Sequence, residues 1–571
     1  MQPKTSVIVT GDGLNHNRSL GTGRQPRSKT PAVDDRAEPT LALDGHSLTF
    51  DGIIDVAHGR VVAEVADDAA VRERVDASHR IVLDGVANGR IMYGVTTGFG
   101  GMADLRIPQA EAAALQQNLL HHLHVGIGDA LPARVVRGAM LLRVNSHLRG
   151  ASGIGWPLIE RLLLLLRCHA TPVVRRLGSI GASGDLIPLA AIAGAAIGAP
   201  DYEIEMQGSV MPAREALGKL GVAPLDLEPK AGLAMINGTA VSTAWAVDLV
   251  DRARSLLRTT LGFHALCMQA LGASAEGLNA FVHEHKPHAG QSAVAASLRR
   301  ALDGSHMTTA RDERGDRPGL VQDRYSVRCI PQFLGPVLDT LTSVSAELEV
   351  EANSTTDNPL IDVQTGEVHN GGNFLAQYVA TGLDRVRSQL ALTAKHNDVQ
   401  IAMLMSPSMS DGLAPSLVGN GERARNMGLK GLQIAGNSLM PLVAYFSPPL
   451  ADRFPSHAEQ FNQNINSQSY GAAHLADLQL GLMEQHVACG LLAAVQAVDL
   501  RAELHQAPAH ELLSPGTVAL YHRLRAAVGR ADDHRPIVGH DEEQVLEHWL
   551  DAVTCEIAEG DSLVAAAPSL S

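Results

Sequence analysis

Residues Gly181-Ala182-Ser183-Gly184-Asp185 form a glycine-flanked stretch in which a backbone could react with itself. If the amide nitrogen of Gly184 attacks the carbonyl carbon of Ala182 and two waters leave, Ala182, Ser183 and Gly184 close into a methylidene-imidazolone ring, MIO. Glycine lacks a Cβ and so admits the strained backbone the attack needs, and Ser183 carries the hydroxyl whose elimination leaves an exocyclic methylidene. The product is an electrophile that no ordinary side chain supplies. Because Ala-Ser-Gly also occurs in ordinary loops, the residues elsewhere in the chain decide how it is read.

Five further segments carry groups that such an electrophile would need around it. They are Tyr93-Gly94-Val95-Thr96-Thr97-Gly98-Phe99-Gly100; Asn237-Gly238-Thr239; Gln322-Asp323-Arg324-Tyr325-Ser326-Val327-Arg328-Cys329; Asn353 to Leu360 running on to Gly371-Gly372-Asn373-Phe374; and Ala458-Glu459-Gln460-Phe461-Asn462-Gln463. In order and rough spacing, from about residue 45 to about residue 530, the set resembles the aromatic amino acid ammonia-lyase and aminomutase family. That family contains the MIO-dependent histidine, phenylalanine and tyrosine ammonia-lyases; this chain is most similar to tyrosine ammonia-lyase or tyrosine 2,3-aminomutase.

The resemblance implies a division of labour. Expelling ammonia from an α-amino acid requires removal of a weakly acidic β-proton and loss of a poor leaving group. MIO, formed from Ala182, Ser183 and Gly184, answers the second need by bonding the amine, so no exogenous cofactor is required. Tyr93 takes the family's base position, and its reference pKa of about 10 is expected to fall through nearby positive charge or helix N-termini. Gly94, Gly98, Gly100 and Gly101 let that loop close over substrate. Arg328 offers a planar guanidinium to the substrate carboxylate. Tyr325 assists near MIO, Gln322 and Asn237 bond the carboxylate or ring oxygen, Phe374 packs on the substrate, and Asn462 and Gln463 match the pair near MIO and the amine. Without the family, each Asn or Gln reads as a cap or turn residue.

Positions facing the far end of the substrate ring map to His122 and Leu123, a pair that resembles tyrosine-type enzymes. An imidazole can bond a phenolic hydroxyl that a phenylalanine would leave unpaired. Lys430 and Glu459 instead resemble phenylalanine-type lyases and aminomutases. Asn464, Asn370 and Arg324 depart from the usual pattern. The expected reaction is therefore L-tyrosine to 4-hydroxycinnamate and ammonia. Tyrosine 2,3-aminomutase giving β-tyrosine, phenylalanine lyase or aminomutase, and a catalytically silent binding or scaffolding homologue are the alternatives. His121, His122 and His124, like His283, His285 and His288, lack a recognised zinc spacing, so no metal is expected. Cys329 is expected to serve buried packing.

The elements that must position these groups follow from composition. The 571 residues are 45% apolar, 19% charged and only 3% aromatic, so packing rests on Leu, Ala, Val and Ile in helices. A net charge of −15 without a basic cluster argues against nucleic acid, and five scattered cysteines fit a reducing cytoplasm. The apolar run Leu186 to Pro200 is too short to span a bilayer and reads as a buried helix, so no membrane partner is expected. Residues 1–40 are expected to be a disordered extension, 41–238 an MIO-bearing domain, and 239–571 a long helical bundle with C-terminal helices. Strand is expected at Leu48–Phe50 and Arg60–Val65, and helices at 112–123, 131–148 and 157–168. The charged stretch Arg311–Arg317 reads as a mobile lid or a plain solvated loop. Taken with the family, the fold class is mainly α, in the fumarase/aspartase-like superfamily. The resemblance further implies a homotetramer whose subunits share active sites and take a small aromatic amino acid.

Overall fold

The computed structural model describes residues 39–308, 321–422, 424–454, 457–531, 535–559 and 561–570. Residues 1–38 of the expected extension and the charged stretch Arg311–Arg317 lie outside the described residues. The chain is mainly helical, as composition implies, and its strands form only small two- and three-stranded sheets.

Three long helices, Ala240–Ala270, Gln377–Met405 and Ser469–His505, run in one direction. Trp245 meets Tyr470 edge-on with centroids 5.3 Å apart near their start, and Arg501 Nε donates to Ala270 O at 2.8 Å near their end. Gln479 Nε2 donates to Arg387 O at 3.0 Å, and Arg501 Nη2 to Ser410 O at 2.6 Å, fixing the Gln377–Met405 helix in the same sense. Ile330–Ala352 runs back against them, with Glu351 beside Thr239 and Phe333 stacked on His396. Almost the whole of Ala240–Ala270 is buried, which its apolar residues on every side require. Its extension back to Ala231 is the one stretch among the described residues long and apolar enough to cross a membrane, and that window is wholly buried inside the protein. Arg252, within the bundle, is paired: it reaches Asp477 at 2.7 Å and Glu484 at 2.9 Å.

The expected N-terminal helices appear as Ala112–His122, Ala133–Leu148 and Trp156–Arg167, and the apolar run as Leu186–Ile197, ended by left-handed Gly198. The strand expected at Leu48–Phe50 is not formed. Thr49 Oγ1 accepts from Gly52 N at 3.1 Å and caps a helix Phe50–Ala57, so a local cap overrides the alternating pattern. Val62–Val65 does form a strand, pairing in parallel with Thr40–Leu43.

Candidate active site

The Gly181–Asp185 loop lies between the starts of two bundle helices. Gly181 and Gly184 are left-handed, at φ 65° and 75°. A Cβ at Gly184 would sit 2.2 Å from Gly238 O, so only glycine permits this approach. Asn237 Nδ2 donates to Ser183 O at 3.0 Å, and Gln463 Nε2 donates to Ser183 Oγ at 3.0 Å. Asp185 N donates to Gly238 O at 2.7 Å. The Asp185 carboxylate accepts from Ser242 N at 2.7 Å and Ser242 Oγ at 3.0 Å, yet full burial pushes its pKa up to about 7. The Asn237 Oδ1 is buried and without a hydrogen-bond partner among the described residues. Left-handed glycines, a held serine hydroxyl and an orphaned acceptor fit a tripeptide that condenses to MIO.

The tyrosine loop closes against the segment 458–463. Gly100 N donates to Tyr93 Oη at 2.9 Å, and a Cβ at Gly100 would lie 2.1 Å from Glu459 Oε2. The phenol is shifted opposite to expectation: burial raises the Tyr93 pKa, and the Glu459 charge raises it further against the counteracting Gly100 bond. Glu459 is itself raised by burial, opposed by hydrogen bonds from Gln463 and Asn462 and by the charge of His122. Glu459, Gln460 and Phe461 are all left-handed, at φ 50°, 51° and 66°. Three consecutive non-glycine residues in that region store backbone strain at the site. Gly98 is held by its N–H to Leu105 O at 2.9 Å, and a Cβ there would meet Met102 O at 2.5 Å.

His122 closes the helix Ala112–His122 with its side chain exposed and Nδ1 3.3 Å from Asn118 O. Leu123 is buried and borders a 190 Å³ cavity also lined by His124, Ile187, Pro188 and Tyr202. Phe374 is half-buried at the same end of the bundle, where Asn373 Nδ2 donates to Thr355 O at 3.3 Å and Thr239 N to Thr356 Oγ1 at 3.4 Å. One chain thus brings Tyr93, Gly98, His122, Leu123, Asn237, Phe374, Glu459, Asn462 and Gln463 to the end of the bundle that holds Ala182-Ser183-Gly184, with Asn237 and Gln463 in contact with Ser183.

Gln322, Tyr325, Arg328 and Lys430 are elsewhere. Ser274 N donates to Asp323 at 2.9 Å, just past the end of the Ala240–Ala270 helix, whose 31 residues span about 45 Å from its start beside Asn237. The Tyr325 ring is exposed, with the Arg328 guanidinium 4.6 Å above it and Arg328 Nε buried without a hydrogen-bond partner among the described residues. His396 Nε2 and Gln400 Nε2 hold Ser326 O at 2.7 and 2.6 Å. Lys430 begins the helix Lys430–Phe446 beside Ser416 and Leu417. Gln496, which donates to Leu417 O at 3.0 Å, lies about 40 Å along the Ser469–His505 helix from the loop end. A single chain therefore divides its candidate residues between two ends of one bundle.

Known proteins resemble this chain over most of its length. Residues 48–526 match the family model for aromatic amino acid lyase. The chain belongs to the aromatic amino acid lyase family. It is a carbon–nitrogen lyase of the ammonia-lyase and aminomutase group. It is 45% identical over 93% of its length to a phenylalanine ammonia-lyase of Nostoc punctiforme, of which 94% is covered. It is 42% identical to an aromatic ammonia-lyase of Loktanella atrilutea, covering 93% of this chain and 98% of that one. Tyrosine aminomutase from Streptomyces globisporus superposes with a TM-score of 0.83 at 28% identity, over 92% of this chain and 98% of that one. Within this lyase, sequence reasoning missed Ser467 and Ser242, small polar residues that carry no signal until the helices bring them to Gly181 and Asp185. Cys329, expected to serve buried packing, is half-buried at the start of the Ile330–Ala352 helix.

Proposed function

We propose that this lyase eliminates ammonia from L-tyrosine to give 4-hydroxycinnamate, using MIO formed from Ala182-Ser183-Gly184, in the cytoplasm, as a homotetramer with shared sites. When formed, MIO supplies an electrophile for the substrate amine. Tyr93 takes the β-proton on Oη, where Gly100 N–H stabilises the phenolate. Asn237 and Gln463 orient the tripeptide. His122, exposed and with Nδ1 held by Asn118 O, offers Nε2 to the phenolic hydroxyl of tyrosine, above buried Leu123.

The observation that carries the reading is the split of one set of site residues between two bundle ends about 45 Å apart. Tyr93 and Ser183 stand at one end, and Arg328, the group for the substrate carboxylate, with an Nε unpartnered among the described residues, at the other. A second copy must bring its far end to this one. Exposed Ile434, Leu442 and Tyr445 on the Lys430–Phe446 helix provide apolar surface for such assembly. Mixing an inactive Tyr93→Phe variant with an inactive Arg328→Ala variant under subunit exchange should restore a fraction of wild-type activity. Two variants that stay inactive together, in verified mixed oligomers, would refute sharing.

A phenylalanine reading has support of its own: Glu459, Lys430 and the Nostoc relative's name. Separate incubation with L-tyrosine, L-phenylalanine and L-histidine, recording both acrylates and β-amino acids, decides between lyase and mutase and ranks the substrates. A higher kcat/KM for phenylalanine would overturn the tyrosine assignment.

A further inference from the structure

The backbone around Ala182-Ser183-Gly184 is held on both sides. Gln468 N donates to Ile180 O at 3.1 Å, Ser467 N to Gly181 O at 3.0 Å and Ser467 Oγ to the same oxygen at 2.9 Å. Gly181 N donates to Ser179 Oγ at 3.0 Å, and Ser179 Oγ donates to Gly184 O at 3.0 Å. Asn237 holds Ser183 O, and Asp185 N reaches Gly238 O. Among the described residues, nothing bonds the Ala182 carbonyl oxygen or the Gly184 N–H. The Ala182 carbonyl carbon must bond the Gly184 nitrogen, and a hydrogen bond donated by that N–H would have to break first.

Ser467 stands out among the holders. It is fully buried, binds one carbonyl through both its amide and its hydroxyl, and precedes the Ser469–His505 helix, which Trp245–Tyr470 packing locks to the helix following Gly238. A Cβ at Gly181 would lie 2.3 Å from Ser467 Oγ, so the contact tolerates only glycine.

We propose that Ser467 is a positioning residue for maturation, fixing Gly181 so that the Ala182 carbonyl carbon is presented to the Gly184 nitrogen. The inference rests on the reading that the tripeptide condenses. In that step a bond forms between Gly184 N and Ala182 C. One water leaves with the Ala182 oxygen and the hydrogens of Gly184 N and Ser183 N, leaving a double bond from Ala182 C to Ser183 N. A second leaves with the Ser183 hydroxyl and its α-hydrogen, leaving the methylidene. Nothing is oxidised or reduced. Ser467 contributes to this closure and not to turnover.

The test is cell-free synthesis of the full chain, as wild type, Ser467→Ala and Gly181→Ala, with the intact mass followed after translation is stopped. Wild type should become lighter by two waters. Ser467→Ala should do so about tenfold more slowly, the effect of one lost buried hydrogen bond. Its melting curve and oligomer should match wild type, and its kcat per condensed chain should be unchanged. Gly181→Ala, clashing and left-handed, should be slower still. Condensation of Ser467→Ala at the wild-type rate would overturn the proposal, as would a delay seen only in protein that has lost its fold. A folded wild-type chain of unaltered mass would instead overturn the reading beneath it.

Discussion

Gln463 Nε2 and Ser183 Oγ are 3.0 Å apart across 280 residues of chain, so the hydroxyl that must depart is held by a residue from the segment that leads into the Ser469–His505 helix. Ser183→Ala removes that hydroxyl and little else. The expected variant folds and assembles like wild type, never becomes lighter by two waters and shows no ammonia release above background. Full activity in this variant would sink the MIO mechanism.

Glu459 lies against the tyrosine loop and its charge disfavours the Tyr93 phenolate. Burial is the larger cause, so the base is ionised only toward alkaline pH, and activity should rise with pH as the phenolate forms. Replacing Glu459 by Gln removes the repelling charge, lowers the Tyr93 pKa and should move the acid-side limb of the kcat/KM profile to lower pH. The position of the limb is the readout, whatever happens to its height. A limb that stays put would separate Glu459 from Tyr93 ionisation.

Much of this was legible in the sequence. Long Ala- and Leu-rich stretches announced the bundle, and Ala182-Ser183-Gly184 with Tyr93, Asn237 and Gln463 announced one end of the site, because motif residues carry their chemistry in their type. Tyr93 ionisation was misjudged, since a charge neighbour such as Glu459, 366 positions away, is set by folding alone. The strand expected at Leu48–Phe50 failed for a local reason, the Thr49 cap. The distance from Ser183 to Arg328 was equally hidden: spacing along a chain says nothing about which end of a helix bundle a loop occupies.

His122 is the specificity residue to test. Its exposed imidazole, tied through Nδ1 to Asn118 O, keeps Nε2 available. For His122→Phe, tyrosine loses a hydroxyl partner while phenylalanine gains apolar contact. The ratio of kcat/KM for tyrosine over phenylalanine should fall at least about tenfold. An unchanged ratio would remove His122 from substrate selection.

Lys230 and Asp357 form a fully buried ion pair at 2.7 Å behind the Asn237-Gly238-Thr239 turn. Asp357 lies next to Thr356, whose hydroxyl accepts from Thr239 N, so the pair anchors the wall on which the Ala182-Ser183-Gly184 loop rests. Removing one partner leaves the other charged in a dry interior. Lys230→Met should destabilise the protein by about 3–5 kcal/mol in denaturant unfolding. In the double variant Lys230→Met with Asp357→Leu, neither partner is left charged without the other, and part of that loss should be recovered, less the cost to the buried Arg143 of losing Asp357 as a countercharge. If the two single losses simply add, the pair does not act as a unit, and the wall of the turn is held by Arg143, which donates to Thr356 O at 2.9 Å.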